Sequence, residues 1–378
     1  MTKSTLQYCA TDKEIYDALM SAKQKISEKV LFELAKDRGI FFSAKDTRED
    51  LISAISLLPH DYHALNTLLE QREHSGRQEK LTSVTLPEAL TAEKIKEVLK
   101  EYTEESPSDE QITYHAKGNN QVVATVKYSD IDYGKTRLIQ RTPKEAGIEF
   151  HIEQNKTVIR MPANDRMNVI FGRLKDKLDI KQKRVIQTIR IEIGEFESPA
   201  LRTEFFTALI SKLKGFSLRN VTSVKVERLI ISPEESELDF EDDQEDEEAE
   251  QEALALVKKV ALKGDTLLAS EEYQSFAEKG FFITSIIWRS MLKKVPHPMI
   301  EFEAAFEEPI HGKGFKYFVR GAYNMVDKHY TKTIRPVDAD DKELYLSIIE
   351  DTAASTINAL RKKFQTEVND SQVQEDPA

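Results

Sequence analysis

The sequence predicts an α+β protein: an N-terminal helical module followed by two mixed α/β sheet domains joined by an acidic disordered linker. Three observations carry this. Apolar residues recur at helical spacing over residues 12–100. From residue 111 the period drops to two, and strands then alternate with helices. Residues 234–252, EESELDFEDDQEDEEAEQE, hold thirteen acids in nineteen positions and no lysine or arginine, too charged to bury. The expected layout is a helical domain over 1–104, a central α+β domain over 111–232, the linker over 233–252, a C-terminal α+β domain over 253–364 and a disordered tail over 365–378.

The elements follow in order. Ile15, Leu19, Ile26, Val30 and Leu34 mark the first helices, and Leu51, Ile52, Ile55 and Leu58 the next. Val122, Ala124 and Val126 alternate with their neighbours as a strand does. Ile148, Phe150 and Ile152, then Val158 and Ile159, flank Gln154-Asn155 as a hairpin. A helix is expected over 162–178, opened by Pro162, Asn164 and Asp165, with Met167, Phe171, Leu174 and Leu178 inward. A strand then places Ile189, Ile191 and Ile193 on one face. Ser198-Pro199 starts a helix that Gly215 ends, and Val221–Ile231 is a strand. Beyond the linker a helix covers 253–263, and another, capped by Ser270, stops at Gly280. Strands at 281–289, 299–306 and 315–323 precede a last helix with Leu346, Ile349, Ala353, Ile357, Leu360 and Phe364 in its stripe.

Bulk charge hides the character of the folded body. The chain carries −12 and the acidic segment alone −13, so the remainder is near +1, or +5 without residues 365–378. The single cysteine, Cys9, excludes a disulfide framework and a cysteine-based zinc cluster. No stretch approaches the ~20 apolar residues of a membrane span, and the N-terminus lacks a signal-peptide core. A cytoplasmic protein with no membrane, cofactor or metal is the expectation.

Residues 26–58 carry the most specific local pattern. Val30, Leu31 and Leu34 lead to Arg38-Gly39-Ile40, an extended piece with Ser43 and Lys45, then Arg48, Leu51 and Ile55. This resembles the SAP and helix-extended-helix family of small DNA-binding motifs. The resemblance implies that Arg38, Ser43, Lys45 and Arg48 face phosphates, with little sequence readout. Asp46, Glu49 and Asp50 depart from the family's basic surface. A second basic feature is the span 164–229, with fourteen Lys/Arg against eight Asp/Glu; its densest part is Arg173, Lys175, Lys177, Lys181, Lys183 and Arg184. Such a patch suits phosphates or the acidic linker itself.

Other motifs point to chemistry less directly. Ser129–Thr136, SDIDYGKT, ends like a phosphate-binding P-loop but lacks its first glycine and a following helix. His60 and His63 have the spacing of a shared metal on a helix, without a third ligand near in sequence. Asp179-Ile-Lys181 and Asp340-Asp-Lys342 match half of a nuclease signature, outside any apolar strand. The C-terminal aromatics Phe281, Phe282, Trp288, Phe302, Phe306, Phe315, Tyr317, Phe318 and Tyr323 suit a core better than base stacking. The 309–314 loop, PIHGKG, is expected to be flexible and suited to a partner.

These readings add up to a non-catalytic accessory or adaptor subunit that contacts nucleic acid, DNA above all, through its phosphate backbone. A protein partner or a second copy would dock on the C-terminal domain. Such subunits occur in DNA processing and in defence against invading DNA. Two alternatives stand: a divergent metal-dependent nuclease or nucleotide-acting enzyme near Asp130, Asp132 and Lys135 or near Asp179 and Lys181, and a protein-only assembly scaffold.

Overall fold

The structure is a computed structural model that describes residues 10–65, 79–229, 250–257 and 276–374, apart from 24–25, 44, 62, 108–109, 136, 139, 256, 277 and 327–328. Its elements run α1 (Asp12–Ser21), α2 (Glu28–Lys36), α3 (Arg48–Ser56), β1 (Leu81–Leu86), α4 (Ala92–Glu105), β2 (Gln111–Ala116), β3 (Gln121–Ile131), β4 (Arg141–Ile152) and β5 (Thr157–Pro162). They continue α5 (Asp165–Gln182), β6 (Ile189–Arg190), α6 (Pro199–Ser211), β7 (Phe216–Arg228), β8 (Phe281–Leu292), β9 (Met299–Glu308), β10 (Lys313–Tyr323), β11 (Met325–Val326), β12 (His329–Tyr330) and α7 (Ala339–Gln374). Helices plus a large antiparallel sheet make the mixed α+β class expected from the sequence. No helix among the described residues is long and apolar enough to cross a membrane.

Two compact units interleave along the chain: residues 1–79, 90–152 and 166–186 form one, and 80–89, 153–165 and 187–378 the other. This differs from the contiguous boundaries expected near 104 and 232. The reason is long-range strand pairing. Residues 81–86, read as part of a helical domain, form β1, which pairs antiparallel with β5, β6 and β10. Alternating burial of Val84 and Leu86 favours a strand there once those partners exist. The expected strand at 189–193 shrinks to β6, with Ile193 buried and Ile189 exposed. Most of the acidic linker lies outside the described residues, although 250–255 are helical. The Ser270 cap also lies outside them. Helix α7 continues to Gln374, into the segment read as a disordered tail. No glycine or proline interrupts it before Pro377.

In the first unit, local signals set the helix ends. Thr11 and Glu14 close a capping box on α1, as Thr47 and Asp50 do on α3. Gly39, at φ +73°, stops α2, and the Ile40 amide returns to the Ala35 carbonyl at 3.0 Å. Ile15, Leu19, Leu31, Ala35, Leu51, Ile52 and Ile55 share one core, which Leu138 of the β3–β4 loop joins. Strands β2, β3 and β4 form an antiparallel meander.

The second unit is a sheet in the order β5-β1-β10-β9-β8-β7. Its core face meets α6 and the Leu346, Ile349, Ala353, Ile357 and Leu360 stripe of α7. The C-terminal aromatics are mostly core: Trp288 stacks on Phe302 at 5.4 Å, and Phe205 meets Phe306 and Phe315 edge-on or tilted. Each such ring contributes about 1.5–3 kcal/mol by burial. A buried ion pair ties α7 to the sheet. Arg160 grips Glu350 with two hydrogen bonds, 2.7 and 3.1 Å, and the Tyr317 hydroxyl donates to the same carboxylate. Burial first, then the Glu350 charge, drives the Tyr317 phenol well above its ordinary range.

The 309–314 loop is stapled, which corrects the expectation of a flexible loop. Arg202, 3% exposed, donates to the carbonyls of Phe196, Pro309 and Ile310 at 2.7, 3.1 and 2.7 Å. Gly194 and Gly312 let the backbones touch: a Cβ on Gly194 would meet the His311 carbonyl oxygen at 2.3 Å.

Candidate nucleic-acid interface

The helix–turn–extended–helix order of residues 28–56 places the first four candidate residues. Arg38 is half-buried and donates to the Pro59 carbonyl at 2.7 Å. Ser43 and Asp46 build the turn before α3: the Ser43 amide donates to Asp46 at 2.7 Å, and the Lys45 amide to the Ser43 hydroxyl at 3.2 Å. The Lys45 side chain is exposed and makes no ion pair among the described residues. Four positions earlier, Phe41 is 81% exposed, an uncommon state for a phenylalanine. Arg48 turns inward. Its guanidinium donates to the Ile26 carbonyl at 2.7 Å and the Leu19 carbonyl at 3.3 Å, tying α3 to the end of α1. Arg48 is therefore a clamp between helices, and Lys45 is the base this stretch leaves to solvent.

The basic face of α5 is occupied by the acids of α4 and the residue that precedes β2. Glu110, its side chain fully buried, meets Arg166 at 2.6 Å and Arg173 at 3.6 Å, and accepts from the Tyr102 hydroxyl at 2.7 Å. Burial first, and then that hydrogen bond, pushes the Tyr102 phenol up to about 12. Further along, Lys177 meets Glu105 at 2.6 Å, and Lys181 meets Glu101 at 2.9 Å and Glu97 at 3.0 Å. The pairs run in opposite sequence order on the two segments, an antiparallel electrostatic zipper. Lys175 pairs with Asp179 one turn away on its own helix. Lys183, at φ +53°, and Arg184 are exposed where α5 ends. Thus Arg173, Lys177 and Lys181 pair across to Glu110 and the acids of α4, and Lys175 pairs within α5, so most of the basic run is engaged inside the first unit.

The carboxylates considered for an enzyme are also engaged. Asp132 sits in the β3–β4 loop, accepts from the Gly134 amide at 3.0 Å and pairs with Lys135 at 2.8 Å. These bonds, together with the exposed Tyr133, make residues 132–135 a polar loop, while Ser129, Asp130 and Ile131 end β3. Asp130 pairs with Lys144 at 3.0 Å. Asp179 accepts from the Ile186 amide at 2.8 Å and so fixes the chain leaving α5. The His60 ring donates to the Ile55 carbonyl through Nε2 at 2.8 Å. Among the described residues no group of three or more His, Cys, Asp or Glu is gathered as a metal would need.

Another set of bases was not singled out in the sequence. Lys212 and Lys214 follow α6, Arg219 lies on β7, and Lys293 and Lys294 follow β8. The β7–β8 ladder pairs Phe216 with Leu292 and Ser217 with Met291, and the Lys293 amide donates to the Gly215 carbonyl at 2.9 Å. Two lysine pairs about eighty positions apart thereby share one end of the sheet. Arg219 adds a third contribution, its guanidinium 3.1 Å from the Met291 sulfur. All five side chains belong to exposed residues, and none makes an ion pair among the described residues. The only signal in the sequence is local: neither 211–220 nor 290–298 contains an acid. No protein-family model matches the chain, and no curated protein matches its sequence.

Proposed function

We propose that this chain is a non-catalytic accessory subunit that contacts the phosphate backbone of nucleic acid through its N-terminal helical module, while its C-terminal sheet docks a protein partner or a second copy. The observation that carries this reading is the stretch between α2 and α3. It leaves Phe41 81% exposed and, four positions on, Lys45 exposed as a cation with no ion pair among the described residues. A cation and a flat apolar ring exposed in one short stretch suit a phosphate and the base or sugar attached to it. Cytoplasmic work in DNA processing or defence fits this chemistry and belongs to the same proposal.

A second reading, a protein-only assembly scaffold, draws support from the zipper between α4 and α5, which uses up bases that phosphates would need. Fluorescence anisotropy separates the two. Full-length protein is titrated into labelled single- and double-stranded DNA and RNA at low and moderate salt, beside a Phe41→Ala/Lys45→Glu variant. Binding that weakens with salt, and weakens further in the variant, supports the first reading. No binding of any probe at low salt leaves the scaffold.

A further inference from the structure

We infer that the lysine-rich end of the β7–β8 hairpin is a second phosphate-contacting surface, built from Lys212, Lys214, Arg219, Lys293 and Lys294. The inference rests on the nucleic-acid reading above and adds a site to it. Three properties of this end of the sheet argue for it.

The first is uncompensated charge. Five bases meet here, and none has a carboxylate partner among the described residues. Acids do reach this end: burial first, then the charge of Asp341 in the first turn of α7, raises the Tyr345 phenol, and the Tyr345 ring packs on Phe216 at 5.3 Å. Neither Asp340 nor Asp341 forms an ion pair with the five bases among the described residues.

The second is rigidity. The turn after β8 is tied down from several sides. The His297 amide donates to the Lys294 carbonyl, the His297 ring bonds the Leu292 carbonyl at 3.1 Å, and the Tyr330 hydroxyl donates to the His297 carbonyl at 3.1 Å. With the Lys293–Gly215 bond, these contacts hold the backbone that carries the lysines before any ligand arrives. Preorganisation of this kind lowers the ordering cost of binding.

The third is spacing. Neighbouring strands lie about 4.8 Å apart. Lysines on two adjacent strand ends therefore match a ligand whose charges repeat every few ångströms, as a nucleic-acid backbone's do. Lysine side chains here would act as point charges, giving affinity without sequence readout.

The test uses the full chain in three forms: wild type, Lys212→Ala/Lys214→Ala/Lys293→Ala/Lys294→Ala, and the same four positions changed to arginine. Each is titrated into a fluorescein-labelled DNA duplex, the matching single strand, the equivalent RNA and labelled polyglutamate, at two salt concentrations. The alanine form should melt as wild type does, bind nucleic acid roughly 10-fold or more weakly at low salt, and lose about 0.9 from the slope of log K against log salt for each phosphate contact removed. The arginine form should keep wild-type binding. Wild-type binding that the alanine form matches in affinity and slope overturns this inference and leaves the Phe41–Lys45 reading standing. Polyglutamate bound more tightly than any nucleic acid, and lost in the alanine form, overturns it in favour of an acidic protein partner. If wild type binds no nucleic acid at low salt, both readings fall.

Discussion

Helix α5 and the end of the β7–β8 hairpin are similarly rich in bases, yet their charges have opposite fates. On α5, Arg166, Arg173, Lys177 and Lys181 each face an acid at 2.6–3.6 Å. At the hairpin end, Lys212, Lys214, Lys293 and Lys294 face none among the described residues. The difference is what packs alongside. Helix α4 and Glu110 supply a row of carboxylates to α5, whereas the hairpin end is built from two acid-free turns. A count of bases along a sequence therefore says where charge is, and tertiary neighbours say whether it is available.

The sharpest way to break this comparison is at Glu110. Changing Glu110→Gln removes a buried anion that two arginines and Tyr102 share. It should cost about 2–3 kcal/mol of stability, read by urea unfolding, and leave nucleic-acid affinity unchanged. A loss under about 0.5 kcal/mol would mean that the zipper contributes little to the first unit. Next is Arg48→Ala, expected to cost about 1–2 kcal/mol because two carbonyls lose charged donors. A stable variant with weakened nucleic-acid binding would return Arg48 to the interface.

A smaller effect would sharpen the comparison. In Glu97→Gln/Glu101→Gln/Glu105→Gln, Lys177 and Lys181 are released. If pairing is what silences α5, nucleic-acid affinity at low salt should rise roughly 3- to 10-fold, by a few added phosphate contacts. Unchanged affinity would show that α5 is kept from the ligand by something other than charge pairing.

Tyr102 offers a pH test of the same cluster. Its pKa is raised from the ordinary 10.0 to about 12. A raised folded-state value contributes stability that is complete below pH 10 and lost as the pH climbs through the folded value. The stability advantage of wild type over Tyr102→Phe should therefore shrink between pH 10 and about 12. An advantage constant across that window would separate Tyr102 from Glu110. The smallest expected change is from Lys181→Ala, whose urea unfolding midpoint should stay close to that of wild type, since its partners are largely solvated.

The sequence by itself determined what depends on near neighbours. Helix α3 begins where Thr47 and Asp50 can cap it, and α2 ends where Gly39 can take a positive φ; both are decided within a few residues. The period-two runs of β3, β8, β9 and β10 and the apolar stripe of α7 were legible for the same reason: burial of one face imposes a pattern on the chain itself. Tertiary structure alone decided the rest. Residues 81–86 became a strand because β5 and β10, about eighty and more than two hundred positions away, offer hydrogen bonds there. Arg48 turned from an expected phosphate contact into a clamp because the carbonyls of Leu19 and Ile26, at the end of α1 and before α2, lie within its reach. The four bases of α5 were neutralised, and the four lysines of the hairpin end brought together, by partners distant in sequence. Charge pairing depends on distances of a few ångströms, and those are set only when the chain has folded.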